Sequence, residues 1–552
     1  MFAKTYGATT LGIDGVLIEV EADVANGLPK FEIVGLADVA VKEAKERVRP
    51  AIRNTNVNLV PKKVTINLAP ADLRKNGSSL DLPIAIALLE AYGFLPKDCC
   101  SDSLLAAELS LDGQVKTITG ILSMAILCKE LKFKKFFVAK GNEQEALLVE
   151  GIEVYAIATL SELIDFLQGK IKLKPAKRQK RLSQDMQFKE DFADVQGQFL
   201  AKKALEIAAA GGHNVLMVGA PGTGKTMLAK RLATILPQMT YQEALEVTKI
   251  YSIAGLLSRD SGLVTKRPFR SPHHTISSAG IIGGGTIPKP GEVTLSHNGV
   301  LFLDELPEFS KASLEALRQP LEDGEVMITR VNASLKFPSR MILVASMNPC
   351  PCGYKYDNTR NCTCSDYEIK RYTKKISGPL LDRIDIQIQV PRVEYKDFVT
   401  DKKAESSEQI RQRVEQARQI QLKRFAQAKI VCNAQMSHAM IKSYCKLTAK
   451  AQDMLGLVFE QMRLSARAYD RIIKVAQTIA DLDNSEYIED KHIAEAVQYR
   501  NNFNLQEKFK IKVKERNYGI YRKNKKFRSN RLSYKTFIIT SYSKYSYTRS
   551  RY

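Results

Sequence analysis

Residues 215–226 read Val-Leu-Met-Val-Gly-Ala-Pro-Gly-Thr-Gly-Lys-Thr, and a helical run at 227–236 follows them. The four apolar residues are typical of a buried strand, and the rest fits the phosphate-binding pattern G-x-x-x-x-G-K-[ST]. Glycines let backbone N–H groups close around a phosphate, and the following helix N-terminus adds positive potential. Because the order is strand, loop, helix, we predict an α/β fold with an ATP site here rather than an ordinary glycine-rich turn.

The loop supplies the candidate residues for nucleotide binding. They are Gly219, Ala220, Pro221, Gly222, Thr223, Gly224, Lys225 and Thr226. We expect the Lys225 ammonium to reach the β- and γ-phosphates and the Thr226 hydroxyl to ligate Mg²⁺. ATP and Mg²⁺ are therefore the predicted cofactors.

Two further apolar runs end in polar side chains. The first, Val-Leu-Phe-Leu-Asp-Glu at 300–305, supplies Asp304 and Glu305, and the second, at 341–347, leads to Asn348. We expect Asp304 to hold Mg²⁺ through water and Glu305 to polarise the attacking water as general base. Asn348 would orient that water if its strand lies between the two phosphate strands. The alternative for Asn348 is a simple turn residue at a strand end.

The composition is that of a globular protein, with 44% hydrophobic and 26% charged residues among 552. We find no apolar run long enough for a membrane span and no signal peptide, so we expect no membrane partner and a cytoplasmic location. Residues 501–552 hold 15 Lys and Arg against 2 Asp and Glu, more than half of the formal net charge of +23. The rest of the chain is only moderately basic, and its charge alone does not establish a nucleic-acid partner.

Periodicity and composition divide the chain into five segments. We predict an N-terminal α/β domain at 1–169, a basic linker at 170–190, the P-loop core at 191–395, a helical domain at 396–503 and a basic tail at 504–552. The helical domain rests on apolar residues at helical spacing: Ile410, Val414, Ala417, Ile472, Ile473, Ala476 and Ile479. The tail interleaves tyrosines with basic residues, which suits single-stranded nucleic acid, but we favour a disordered extension or a frame-shifted translation.

Four of the nine cysteines lie close together as C-x-C-x9-C-x-C: Cys350, Cys352, Cys362 and Cys364. Two close pairs of thiolates can surround a tetrahedral Zn²⁺, and four thiolates leave no open position, so the predicted role is structural. The C-x-C spacing is tighter than the usual C-x2-C. Free surface thiols and a redox pair are the alternatives.

Several longer motifs together resemble the Mg-chelatase-like AAA+ ATPases, specifically the ComM/YifB competence-associated family. They are RPFRSPHHT (267–275), GEVTLSHNGVLFLDELPEF (291–309), LRQPLEDG (317–324), MNPCPCG (347–353) and SGPLLDRID (377–385). The resemblance covers about residues 1–500. It implies an AAA+ core, an all-helical C-terminal lid and self-association into a ring, with a hexamer as the expected size.

The resemblance also implies roles for three residues. Asn348 corresponds to sensor 1, Arg383 in LLDRID to an arginine finger donated to a neighbouring subunit, and Arg467 in LSARAYDR to the sensor 2 arginine. We expect lid closure to bring Arg467 onto the nucleotide. Without the resemblance, Arg383 between two aspartates would be read as a surface salt bridge, and Arg467 as a helix-surface arginine.

The N-terminal segment KNGSSLDLPIAIA (75–87), followed by AELSLDGQV (107–115), resembles the Lon protease catalytic domain. Ser79 falls at the nucleophile position, but Leu122 stands where the Lon-type lysine base would be, and leucine accepts no proton. Lys116 and Lys129 are out of register. We therefore expect a non-proteolytic domain for assembly or substrate handling. Arg74 replaces an expected proline, which changes only a loop.

Family resemblance implies a ring ATPase that moves on DNA, like the ComM branch-migration helicases of recombination and natural transformation. DNA is the expected partner, without sequence-specific readout, because no helix-turn-helix or zinc-finger reader is evident. The glycine-rich segment 280–291, which contains Lys289, would reach the ring channel or serve as a plain connector. The alternatives are a regulatory or chaperone-like ATPase with protein partners and a Mg-chelatase motor subunit.

Overall fold

The structure is a computed structural model, and residues 1–499 form one compact unit. The described residues are 1–75, 77–178, 188–257, 262–285, 288–330, 333–357, 360–393, 404–428 and 430–500. The predicted tail at 504–552 and residues 179–187 of the predicted linker lie outside them. No helix in these ranges is long and apolar enough to cross a membrane.

The N-terminal part of the chain is built on a seven-stranded mixed sheet of order β3-β4-β2-β1-β5-β8-β9, with a separate small hairpin of β6 and β7. Its strands are β1 (Phe2–Leu11), β2 (Asp14–Ala25), β3 (Lys30–Val34), β4 (Lys63–Ala69), β5 (Ser103–Ala106), β6 (Glu108–Leu109), β7 (Val115–Lys116), β8 (Lys135–Ala139) and β9 (Glu153–Ile157). Its helices are α1 (Val39–Lys42), α2 (Ala44–Arg53), α3 (Asp81–Ala91), α4 (Ile121–Glu130), α5 (Glu143–Ala146) and α6 (Leu160–Leu167).

Helix α3 is the centre of this N-terminal part. All its residues are buried, including Asp81, whose carboxylate accepts a hydrogen bond from Arg47 Nε at 2.7 Å. A helix that is apolar on every side has to be covered on every side, and α3 packs against β1, β2 and α2. The Lon-like motif around Ser79 therefore leads directly into a buried core helix.

The following part of the chain contains a five-stranded parallel sheet of order β11-β14-β17-β10-β18. Its strands are β10 (Val215–Val218), β11 (Phe269–Arg270), β14 (Val300–Leu303), β17 (Ile342–Met347) and β18 (Ile386–Gln389). Two hairpins stand apart from the sheet: β12 (Gly283–Gly284) with β13 (Lys289–Pro290), and β15 (Glu325–Arg330) with β16 (Ala333–Pro338).

This part of the chain also contains helices. They are α7 (Phe199–Gly211), α8 (Lys225–Ile235), α9 (Tyr241–Ile253), α10 (Ser278–Ile282), α11 (Glu292–Leu295), α12 (Lys311–Ala316), α13 (Arg318–Asp323), α14 (Asp366–Thr373) and α15 (Gly378–Leu381). Short 3₁₀ turns occur at Phe192–Asp194 and Leu306–Glu308. The strands β10, β14 and β17 are buried throughout, as expected of apolar runs in a covered parallel sheet.

The C-terminal part is helical, with α16 (Ser407–Arg424), α17 (His438–Tyr444), α18 (Ala449–Met462), α19 (Ala466–Leu482), α20 (Asp490–Gln498) and a 3₁₀ turn at Asn433–Gln435. Side-chain caps start several of these helices, since Ser406 and Ser465 accept hydrogen bonds from the first turns of α16 and α19. The residues predicted from helical spacing are buried, among them Ile410, Val414 and Ile472. The α/β fold with a helical C-terminal region is confirmed.

Asp385 joins these C-terminal helices to the parallel sheet. Its carboxylate accepts hydrogen bonds from the Asn214 backbone N–H (3.2 Å) and from Arg471 on α19, and lies 3.4 Å from His213 Nδ1. Burial acts to raise the pKa of Asp385, but the positive charges of Arg471 and Lys474, together with the neighbouring His213 ring, outweigh it and hold the pKa well below its usual range. A buried, ionised aspartate therefore anchors α19.

Replacing Asp385 with Asn is expected to destabilise the protein by about 3–5 kcal/mol, because Arg471 and Lys474 lose their anionic partner. A depressed pKa means that this stability is fully present above the unfolded-state pKa of about 3.9 and is lost as the pH falls toward the lower folded-state value. Chemical denaturation at neutral and acid pH measures both effects. Glu408→Gln, which breaks an exposed pair with Arg411, should cost less than about 1 kcal/mol. Equal losses in the two variants would contradict the role of Asp385.

Candidate active site

Lys225 begins α8 with its side chain folded back into the loop that follows β10. Its ammonium donates hydrogen bonds to the carbonyl oxygens of Gly219 (2.8 Å) and Ala220 (2.9 Å), and the residue is buried. Burial lowers the pKa of Lys225, and the negative charges of Asp304 and Glu305 oppose this shift. The loop therefore surrounds a lysine that two carboxylates help to keep charged.

Thr226 and Asp304 bring two oxygen atoms together beside that loop. The Thr226 hydroxyl donates to Asp304 Oδ2 (2.8 Å), and the hydroxyl of Ser346 on β17 donates to Asp304 Oδ1. Hydroxyl and carboxylate oxygens suit Mg²⁺, so the donor set fits the predicted ion. Sequence reasoning missed Ser346, although a hydroxyl inside the otherwise apolar strand Ile342–Met347 is a readable signal.

Glu305 occupies the next position after Asp304 but lies in a different environment. Its backbone φ of 53° is in the left-handed region, which few residues other than glycine adopt. The side chain is 57% exposed, and Oε2 lies 3.9 Å from His274 Nδ1. His274 in turn contacts the rings of His273 and Phe309. The carboxylate is thus open to water, and His274 is a neighbour that sequence reasoning missed despite the His-His pair in RPFRSPHHT.

Asn348 follows the central strand of this group. Strand β17 lies between β10 and β14, so its carboxyl end meets the ends of the two strands that carry the loop and the carboxylates. Asn348 Oδ1 lies 3.4 Å from Lys225 Nζ. The structure therefore brings Lys225, Thr226, Asp304, Glu305 and Asn348 together at the carboxyl-terminal edge of the sheet, where β10, β14 and β17 end.

Arg383 lies at the opposite, amino-terminal edge of the sheet, where the strands begin. Asn214, which precedes β10, donates from Nδ2 to the Arg383 carbonyl oxygen (3.0 Å), whereas the loop 219–226 follows β10. A four-residue strand spans about 13 Å. The Arg383 side chain is buried, donates to the Pro379 carbonyl oxygen (2.8 Å) and pairs with Glu322. Its ion pair is therefore not an exposed surface bridge, and it involves neither neighbouring aspartate.

Arg467, at the start of α19, lies beside Arg383. Its Nη2 is 3.3 Å from Glu322 Oε1, the carboxylate group that also binds Arg383. Burial lowers the pKa of Arg383, and the positive charge of Arg467 adds to that effect. The role of Arg467 at the nucleotide after lid closure stays a prediction, and in this structure Arg467 contacts Glu322 at the amino-terminal edge of the sheet. The physical reason is that α19 packs on α7, the helix that leads into the amino end of β10.

Four cysteines come together in the loop between β17 and α14. The Sγ atoms of Cys350, Cys352, Cys362 and Cys364 all lie within 4.8 Å of one another. The Sγ–Sγ distances are 3.4 Å for Cys350–Cys352, 3.6 Å for Cys350–Cys362 and 3.5 Å for Cys352–Cys362. The two C-x-C pairs are at least ten residues apart in the sequence, and they meet in a single cluster.

Ser79 in the N-terminal part has no base at the position that the Lon-like motif predicts. Its hydroxyl donates to the Ala8 carbonyl oxygen (2.9 Å), and Leu122 is completely buried. Lys116 and Lys129 are exposed. A carbonyl oxygen cannot take the serine proton, so this arrangement does not activate a nucleophile.

We expect no peptidase activity from this part of the chain. Purified protein should degrade casein no faster than buffer, with or without ATP, and Ser79→Ala should leave that background unchanged. The substitution should cost only about 1 kcal/mol of stability, the usual contribution of one hydrogen bond. Casein degradation that disappears in Ser79→Ala would show that the domain is a protease.

The segment 280–291 contains the end of α10 and the paired strands β12 and β13, and residues 286 and 287 within it lie outside the described ranges. A Cβ atom on Gly283 would lie 2.9 Å from Ile328 Cδ1 on β15, so the two hairpins pack closely. Lys289 is exposed on β13. The chain thus inserts two adjacent hairpins into the helices and strands of the core.

Three family models match the chain. The model of magnesium chelatase, subunit ChlI, matches residues 191–398. The models of subunit ChlI of Mg-chelatase and of the magnesium chelatase subunit ChlI C-terminal region match residues 20–142 and 404–500. Together they cover most of the N-terminal sheet, the whole parallel sheet and the C-terminal helices.

Similar curated proteins extend this result along the chain. Competence protein ComM of Haemophilus influenzae is 43% identical over 504 residues, which cover 90% of this chain and 97% of ComM. Escherichia coli YifB is 43% identical over 495 residues, 89% of this chain and 95% of YifB. The maternal DNA replication licensing factor mcm6 of Xenopus tropicalis is 23% identical over 298 residues, 52% of this chain and 32% of mcm6. The chain therefore belongs to the ComM/YifB family of Mg-chelatase-like AAA+ ATPases.

Proposed function

We propose that this protein is a ring-forming motor that hydrolyses ATP to move on DNA, as a branch-migration helicase of the ComM type in recombination or natural transformation. The observation that supports the proposal is that the residues assigned to ATP hydrolysis lie at two opposite edges of the same sheet. Lys225, Asp304 and Glu305 lie at one edge, and Arg383 and Arg467 at the other. A head-to-tail ring would join the two edges of neighbouring subunits.

The residues at the first edge are assigned complementary tasks in hydrolysis. Lys225 would exchange its two carbonyl contacts for the β- and γ-phosphates of ATP, and Thr226 and Asp304 would hold Mg²⁺, which neutralises phosphate charge when bound. Glu305 would take the proton of the attacking water, because it is the exposed carboxylate next to Asp304. Asn348 would orient that water from the central strand.

The residues at the second edge are assigned to the neighbouring subunit's nucleotide. Arg383 and Arg467 share Glu322, and two guanidiniums on one carboxylate leave a net positive charge. The γ-phosphate of a neighbour's ATP would attract both arginines, and Arg467 is already 63% exposed. A ring is required by this assignment, and we propose a hexamer, the size expected for the family.

DNA is proposed as the partner because two adjacent hairpins, β12–β13 and β15–β16, extend the core, and the first presents the exposed Lys289. A translocating motor needs backbone contacts that form and break in each cycle, which favours such cations on projecting elements. DNA binding of this kind is indifferent to sequence and sensitive to salt.

The test measures ATP hydrolysis by the full chain with forked, four-way and single-stranded DNA, alongside a chain ending at residue 503. We expect DNA to raise the hydrolysis rate in both proteins, since the basic tail is not assigned to the site. Lys289→Ala should weaken DNA binding uniformly across sequences and reduce the salt slope by about 1. Lys97→Ala, which removes an exposed lysine of the N-terminal part, serves as the control. Loss of all DNA affinity on truncation, or no stimulation by any DNA, would favour a protein or chelatase partner instead.

A further inference from the structure

The four-cysteine cluster has the dimensions of a metal site. A tetrahedral ion with Zn–S bonds of 2.3 Å requires Sγ–Sγ distances of about 3.8 Å. The distances between Cys350, Cys352 and Cys362 are 3.4–3.6 Å, and Cys364 completes a set within 4.8 Å. Small changes in the Sγ–Sγ distances therefore suffice to place the four thiolates around one ion.

The residue that follows Cys352 packs against the nucleotide loop. Gly353, one residue after Cys352, has a φ of +86°, and a Cβ atom there would lie 2.6 Å from Pro221 Cδ and 2.9 Å from Pro221 Cγ. Pro221 belongs to the loop 219–226. The close packing therefore needs glycine at 353, both for its backbone conformation and for its missing side chain.

The two ends of the cysteine loop are tied to the same region. Asn348 precedes Cys350 by two residues, and α14 begins two residues after Cys364. Tyr372 on α14 is buried, and burial raises its pKa to about 12 while a hydrogen bond from the Asn348 backbone opposes the shift. A cross-link between the two C-x-C pairs would therefore restrain Asn348 from both sides.

We propose that Cys350, Cys352, Cys362 and Cys364 bind one Zn²⁺ as a closed thiolate site, and that this site holds Asn348 and the Gly353–Pro221 contact in place for ATP hydrolysis. The metal is structural, since four thiolates leave no open coordination position. The second half of the proposal rests on the proposed ATPase function, and the first half does not.

Metal binding is tested on the full-length protein purified without chelator. We expect about one zinc per chain by elemental analysis, and Co²⁺ substitution should produce the thiolate charge-transfer and tetrahedral d–d absorption bands. Cys362→Ser should lose most of the zinc, whereas Cys99→Ser, which changes a half-buried cysteine of the N-terminal part, should retain it. The cobalt spectrum is recorded on the unmutated chain, so it decides the site even if Cys362→Ser does not fold. Zinc-free protein with no cobalt thiolate bands, or a disulfide within the cluster, would overturn the proposal.

The coupling to the nucleotide site is tested with Gly353→Ala, which keeps all four ligands. We expect zinc content and the cobalt spectrum to be unchanged and kcat for ATP hydrolysis to fall about 10- to 100-fold, because a small displacement of positioned groups is costly. Gly169→Ala, at another left-handed glycine whose Cβ would meet nothing within 4 Å, should keep full activity. Zinc binding with normal hydrolysis in Gly353→Ala would refute the coupling alone. If the unmutated chain hydrolyses no ATP, the proposed function fails, while the metal measurements still decide the site.

Discussion

Replacing Arg383 with alanine is expected to lower kcat for ATP hydrolysis by about 10³- to 10⁵-fold while ATP binding is retained, because an arginine finger acts on the charge of the transition state. The structure places Arg383 at the amino end of the sheet, where Asn214 binds its carbonyl group. From there it is separated from its own P-loop by the length of β10. The loss should therefore appear in the site of the neighbouring subunit.

Mixing two inactive variants tests this assignment directly. Arg383→Ala subunits keep an intact loop, and Lys225→Ala subunits, expected to lose nucleotide binding, keep an intact arginine. Mixed rings should regain hydrolysis wherever a Lys225→Ala subunit donates Arg383 to an Arg383→Ala subunit. Arg411→Ala, which removes an arginine paired with Glu408 on α16, should retain activity and serves as the control. If the mixture stays as inactive as its components although the rings exchange subunits, Arg383 does not act between subunits.

If Arg383 acts on the nucleotide of a neighbouring subunit, its guanidinium first has to leave Glu322. The guanidinium is buried against Glu322 and the Pro379 carbonyl oxygen in the single chain. A neighbour's nucleotide has to compete with that ion pair. Two arginines on one carboxylate make the competition easier, because their mutual repulsion favours moving one of them away.

Replacing Glu305 with Gln is expected to lower kcat by about 10²- to 10⁴-fold, the usual contribution of a general base, with ATP binding unchanged. Glutamine keeps the size and the hydrogen-bonding capacity of the side chain but cannot take a proton. Steady-state hydrolysis and binding of a fluorescent ATP analogue separate the two effects.

Glu308→Gln is the matched control for this prediction. Glu308 lies three residues further along, in the Leu306–Glu308 turn, and pairs with Lys375 at 3.1 Å. It should therefore retain normal turnover. Normal turnover in Glu305→Gln would remove Glu305 from its proposed role, and equal losses in both variants would indicate a general disturbance of the turn.

The nucleotide loop and the two carboxylates could be read from the sequence because each motif is continuous. A loop of fixed length between a strand and a helix has few possible conformations, so Gly219 to Thr226 carry their own geometry. The same holds for Asp304 and Glu305, which directly follow a buried apolar strand. For the same reason, the helical spacing in the C-terminal part predicted its buried face correctly.

What the sequence could not supply are contacts between residues that are far apart in the chain. The order of strands in the sheet decides that β17 lies between β10 and β14, and hence that Ser346 reaches Asp304 and Asn348 reaches Lys225. The packing of α19 on α7 decides that Arg467 meets Glu322 instead of its own nucleotide loop. Local motifs constrain local backbone, whereas such pairings depend on burying the apolar faces of many elements at once, which only the tertiary structure decides.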